Sequence, residues 1–265
     1  MRSLRPFRWG LAALAGLAGL AAAADCVPAV HQRYFVLIFG GETRPKLPRY
    51  THTWGTLVRA TPCGPTPGSY ALEVHTISWL PASLEIRPWV LRAEPGVNLD
   101  LHTTIRYCLA NGEVVSLWGP YEVIPPYGER IYARAMEQVA RLESGRVLYK
   151  AIDPDIGRRH ENISDCIHAI TDIDVYTRRT YYSEWLRFGD DASQFIVTNL
   201  VERGRIDPCV THPWVASALG LDAYPIVRRP HDPPMLESFF ARVAARRAER
   251  REQRFGTASL YPALP

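Results

Sequence analysis

Residues 51–61 read THTWGTLVRAT, residues 62–68 read PCGPTPG and residues 69–79 read SYALEVHTISW. The outer pieces are rich in β-branched and aromatic residues and the middle piece is proline and glycine, so the segment is expected to fold back on itself as a β-hairpin. Upstream, residues 33–40 (RYFVLIFG) form an apolar run that closes on Gly40-Gly41, the pattern of a buried strand. Downstream, residues 84–93 and 114–118 are expected to add two short strands, and Asn98 is expected to cap a helix that stops at Asn111-Gly112. A second helix is expected over residues 129–143, where Ala135, Val139 and Leu142 recur at helical spacing and Gly145 ends the run. A strand over 147–152 and a third helix starting near Ser164, with Cys166, Ile167 and Ile170, complete the pattern. Strands first and helices interleaved later define an α+β class, a mostly antiparallel sheet with helices packed on it.

The ends of the chain carry other signals. Arg2, Arg5 and Arg8 precede an apolar run over residues 9–20 and the small residues 21–24, so a secretory signal peptide cleaved after Ala24 is expected. The run is shorter than the roughly 20 residues of a transmembrane helix. Asp25, directly before Cys26, argues against lipid attachment there. The expected location is therefore periplasmic or extracellular, with residues 25–179 as the core. Residues 180–265 are expected as a C-terminal extension packed on it. That extension ends in an amphipathic stretch over 234–255, with Leu236, Phe239, Phe240 and Val243 on one side and arginines from Arg246 to Arg254 beyond. A solvated arginine face on a docked helix is the expected role, and peripheral contact with a membrane or partner is the alternative. The formal net charge of +4 includes the arginines of both ends, so the middle of the chain is near neutral and nucleic acid is not implied.

Thiol chemistry is the chemistry most of these residues can support. The five cysteines, Cys26, Cys63, Cys108, Cys166 and Cys209, show no CxxC spacing, and an odd number leaves at least one unpaired in an oxidising compartment. Cys166 falls in the expected first turn of a helix, where unpaired backbone N–H groups favour a thiolate and can hold an oxyanion. His52 and His75 are the candidates for a base and for a group that orients it. They lie 23 residues apart across the hairpin. A hairpin centred near Cys63-Gly64 sets them nearly opposite, and one centred nearer Thr66 offsets them by several residues. His168 is two positions from the cysteine, about 200° around a helix, so it is expected to be a structural residue bonded against the sheet.

The segments His52-Thr-Trp-Gly-Thr-Leu-Val-Arg59 and Tyr70-Ala-Leu-Glu-Val-His75, followed by Asp165-Cys166-Ile167-His168-Ala169, resemble in wording and order the motifs of the lecithin retinol acyltransferase-like proteins. Those proteins belong with the NlpC-type cell-wall peptidases in a circularly permuted papain-like fold. The resemblance implies Cys166 as nucleophile, His52 as general base and His75 as the orienting polar group. It also implies an acyl or peptide amide substrate. It covers roughly residues 34–173, and this chain has Asp165 where the family has asparagine and Ile167 where it has glutamate. An aspartate beside the thiol opposes thiolate formation. With Cys166 kept free, Cys26, Cys63, Cys108 and Cys209 are expected to pair as disulfides, in any of three ways.

The reading is thus an exported Cys-His hydrolase or acyltransferase acting on cell-envelope peptides or lipids through a thioester, with no metal or organic cofactor. The alternatives are an inert papain-like scaffold that binds envelope peptides or a partner, and a zinc site built from His52, His75 and Cys166, with His168 as a further permissible ligand.

Overall fold

The structure is a computed structural model that describes residues 31–63, 68–90, 92–151, 162–174 and 188–231. The expected signal peptide and the arginine-rich stretch over 234–255 lie outside the described residues.

The hairpin forms as β2 (Thr51–Pro62) and β3 (Tyr70–Ile77), and the upstream run becomes β1 (Arg33–Glu42). With β6 (Val114–Glu122) and β9 (Ile226–Arg229) they make a five-stranded sheet in the order β3-β2-β1-β6-β9, antiparallel except for the β6–β9 pair. A smaller sheet in the order β4-β5-β7-β8 joins β4 (Trp79–Pro81), β5 (Glu94–Asn98), β7 (Leu148–Tyr149) and β8 (Ile163–Ser164). The α+β class read from the sequence holds. Among the described residues, no helix is long and apolar enough to cross a membrane.

Helices cover both faces of the large sheet, which is why β1 and β2 are apolar without alternation. On one face Val36, Ile38 and Leu57 pack with α2 (Tyr127–Glu143), α3 (Cys166–Thr171) and α4 (Asp190–Glu202) through Ala135, Ile170, Ile196 and Val197. On the other face Phe35, Leu37, Phe39, Trp54 and Val58 pack with α1 (Leu101–Ala110) and α5 (Pro213–Ala218) through Ile105, Cys108 and Val215. Successive residues of a strand point to opposite faces, so odd-numbered residues of β2 look toward α3 and even-numbered ones toward α1. This parity separates the two histidines.

Four expectations are corrected. Among the described residues of 84–93 there is no strand. The segment turns, with Leu84 at φ 57° and Trp89 84% exposed, and the strand lies one step later in β5. Asn98 does not cap α1. Asp100 does, accepting from Thr103 N, while the Asn98 amide accepts from Ser78 N at 2.8 Å and donates to Thr76 O at 3.0 Å. The expected strand over 147–152 shrinks to the two residues of β7. Residues 188–231 pack on the core as expected and also build it: α4 puts Ile196, Val197 and Leu200 into the core, and β9 extends the central sheet. The core therefore runs past the expected boundary at residue 179. Where β4 crosses β5, Gly96 lies against the buried Trp79 ring so closely that a Cβ would stand 2.0 Å from it. Glycine is required there by this close approach.

Candidate active site

The candidate site lies where β3 peels away from β2. Cys63 N donates to Ser69 O, and Leu57 stands opposite His75, so the hairpin is centred on Thr66. Of the two registers the sequence allowed, the offset one is realised. β3 stops at Ile77, opposite Gly55, which leaves the Thr51–Trp54 end of β2 without a β3 partner. α3 packs beside that end, and Ile170 touches Gly55.

Asp165 starts α3. Its carboxylate caps the helix by accepting from His168 N at 2.7 Å, and its second oxygen meets His168 Nδ1 at 2.6 Å. His168 is buried and bonded to its own helix cap. Cys166 is the first helical residue. Burial, and then the Asp165 carboxylate, push its thiol up to about 12, while backbone N–H groups of Thr53, Cys166 and Ile167 pull the other way. The thiol therefore lies beside the Thr53 N–H, at the edge of β2 that β3 leaves open and one residue after His52, whose own side chain is on the α1 face of the sheet while α3 covers the other. Asparagine caps as well as aspartate but carries no charge. The variant Asp165→Asn should accordingly lower the thiol pKa, by about one unit. The pH profile of Cys166 alkylation, resolved by peptide mass spectrometry, should move to lower pH; an unmoved profile would show that Asp165 does not govern this thiol.

His52 is fully buried and stacks on Trp54, with ring centroids 5.3 Å apart at 16°. Its Nε2 is 2.9 Å from Ser78 Oγ, and its Nδ1 has no hydrogen-bond partner. Burial holds the imidazole down at about 3, so it is neutral. Ser78 is fully buried and is itself fixed through its N–H by Asn98. The sequence reading missed it. The signal was the Ile-Ser-Trp break between two strands, where a hydroxyl is released from ladder pairing.

His75 does not orient His52. It faces Leu57, five residues along β2 from His52 or roughly 16 Å, and on the opposite face of the sheet. There its Nε2 is 3.3 Å from Glu73 Oε1 and its ring meets Tyr132 edge-on at 5.6 Å. The expected triad of Cys166, His52 and His75 is not assembled: the side chain that bonds His52 Nε2 is Ser78. The zinc reading loses His75 for the same reason, and among the described residues no set of three or more His, Cys, Asp or Glu side chains is gathered for a metal. Cys63, Cys108, Cys166 and Cys209 are all free thiols, so no disulfide forms among the described cysteines. Cys26 lies outside them. Cys108 is not available for pairing at the surface because it is a core residue of α1.

One further residue borders the site. Glu113 is 4% exposed, and its Oε2 has no hydrogen-bond partner. Burial pushes its carboxyl up to about 7, against the opposing pull of the Cys108 thiol and the Asn111 side chain. It lies over Gly41, the residue directly opposite His52 on β1: a Cβ at Gly41 would stand 2.4 Å from Glu113 Oε2 and 3.1 Å from Cys108 Sγ.

A cavity of about 730 Å³ is lined by Leu47, Arg49, Tyr50, Ile86, Arg87, Trp89 and Asn111 among others, and by none of Cys166, His52, Ser78 or Glu113. Tyr50 lies two residues before His52, and Asn111 two before Glu113. Compared with protein-family models, curated proteins and solved structures, the chain matches none.

Proposed function

We propose that the chain is an exported cysteine-dependent hydrolase or acyltransferase of cell-envelope peptides or lipids, with Cys166 as nucleophile, His52 as base and Ser78 as the group that orients the base. One observation carries the reading. The Cys166 thiol lies near the Thr53 N–H at the open edge of β2, next in chain to a histidine on the α1 face whose Nε2 is held by a hydroxyl and whose Nδ1 is left without a partner. A base oriented through one ring nitrogen and free at the other is what proton abstraction from a thiol requires. The likeness of the His52 strand and the Cys166 helix to lecithin retinol acyltransferase-like proteins supports the same assignment within a permuted papain-like fold.

In the reaction the sulfur lone pair forms the bond to the carbonyl carbon, the thiol proton moves to His52 Nδ1, and the carbonyl π electrons move onto oxygen. Backbone N–H groups that now surround the sulfur are suited to receive that oxyanion. Collapse expels the amine or alcohol, which takes the proton from the imidazolium, and water or a second acceptor then resolves the thioester. The cavity at Tyr50, where Leu47, Ile86 and the exposed Trp89 stand among Arg49, Glu85 and Arg87, offers both apolar and charged surface to an acyl or peptide group.

A second reading, a scaffold without catalysis that binds envelope peptides or a partner, is favoured by the thiol at about 12 and the imidazole at about 3, a pair that rests neutral on both sides. Incubation with activated acyl esters and peptide thioesters separates the two. An enzyme should show an acyl mass on the peptide that contains Cys166, absent in Cys166→Ser and reduced at least about 100-fold in rate in His52→Ala. No adduct with any acyl donor would leave the scaffold reading.

A further inference from the structure

We infer that Glu113 is a positioning residue of this site, whose buried carboxylate stabilises the imidazolium formed when His52 takes the Cys166 proton. The inference rests on the Cys166–His52 reading above and adds a fourth side chain to it.

The geometry is specific. Directly paired residues of antiparallel strands share a face, so the Cβ direction of Gly41 and the His52 side chain lie side by side, with Cβ positions about 5 Å apart. Glu113 Oε2 fills the place where a side chain at Gly41 would begin. Only a residue without a Cβ at position 41 lets a carboxylate reach the sheet here. The carboxylate oxygen and His52 Nδ1 are both buried and both lack a hydrogen-bond partner. The Cys108 thiol and the Asn111 side chain approach this buried carboxyl, but its Oε2 keeps no hydrogen-bond partner, which costs stability.

The surroundings give the charge its effect. Facing Glu113 from α1 are Cys108 and Tyr107, with Asn111 at the end of that helix. Cys108 in turn feels Cys166 of α3. From β1 the facing residue is Gly41, because Glu42 turns to Lys46 at 3.0 Å and to the N–H of Asp190. From β2 it is His52. No cation is among these groups, so the first positive charge to appear beside Glu113 is the imidazolium itself. An opposite charge within about 4–6 Å shifts a titration by about 1–3 units. With its carboxyl at about 7, Glu113 passes from acid to carboxylate near neutral pH and assists His52 above that point.

The test compares Cys166 alkylation by iodoacetamide against pH in the unaltered protein, in Glu113→Gln and in His52→Ala. The unaltered protein should show an inflection near pH 7. In Glu113→Gln that inflection should vanish and the rate at pH 8 should fall about tenfold, while Glu113→Asp keeps part of both. A Glu113→Gln profile that superimposes on the unaltered one, with His52→Ala still depressed, overturns the role of Glu113 and leaves the Cys-His pair standing. If His52→Ala also has no effect, the pair fails and the inference falls with it. Ring ¹⁵N shifts of His52 supply a reading that needs no variant. They should step near pH 7 as Glu113 ionises, and a flat response across that range overturns the inference.

Discussion

Replacing Trp54 with alanine should cost about 3–5 kcal/mol of folding stability and should disable the thiol at the same time. Trp54 is fully buried, stacked at 5.1 Å on Phe39 of β1 and at 5.3 Å on His52 of its own strand. It thus belongs to the core between the sheet and α1 and is also the platform that keeps the His52 ring flat. Its removal opens a cavity the size of an indole in a layer closed by Ile105 and Val215. Rigid packing on both sides prevents collapse into that space. Urea unfolding of the variant reads the first effect and site-resolved alkylation of Cys166 the second. A loss below about 1 kcal/mol would mean that the stack contributes little to the core.

The second large effect is on stability against pH. His52 has an ordinary value of 6.5 and is held at about 3 in the folded chain. A depressed histidine stabilises the fold above its unfolded value, and the contribution is lost as pH falls toward the folded one. The displacement is worth on the order of 5 kcal/mol, comparable with the whole stability of a small domain. Glu113 works in the opposite direction. Its carboxyl is raised from 4.5 to about 7, so its contribution is present at low pH and is lost as pH rises through that window, on the order of 3 kcal/mol. Stability should therefore fall on both sides of a maximum between about pH 5 and 6, with the acid limb the steeper. Denaturant titrations at a series of pH values check this. Glu113→Gln should flatten the neutral limb and His52→Asn the acid limb, and limbs unchanged in both variants would place the titrating groups elsewhere.

The hairpin was legible because turn residues and β-branched runs are local signals, and the third helix was placed within two residues of its start, though Asp165 was read for its charge and not as the cap it is. The hairpin register was not. Residues of β2 from Thr51 to Val58 are all buried, on both faces of the sheet, so no alternation of polar and apolar residues sets a phase, and the loop of prolines and glycines allows more than one centre. That one ambiguity separates His75 from His52. α4 was illegible for a related reason. Ser193, Gln194, Thr198 and Asn199 are buried alongside Phe195, Ile196 and Val197, so the helix presents no polar stripe to give it away. Residues 84–93 misled in the other direction. Their aromatic and aliphatic side chains suit a strand, yet Trp89 lies exposed at the cavity and Val90 is exposed as well. Ser78 and Glu113 reach the site through contacts 26 and 61 residues from His52, beyond any local pattern.

The pairing of Cys166 with His52 is tested most directly by the rate of Cys166 alkylation against pH in the purified protein and in His52→Ala. A functional pair gives a Cys166 rate at neutral pH well above that expected from a thiol held at about 12, because His52 accepts the proton as the sulfur attacks, and the variant loses that excess by about 100-fold or more. Equal and slow rates in both proteins would mean that the thiol is inert and that His52 and Ser78 serve only the core.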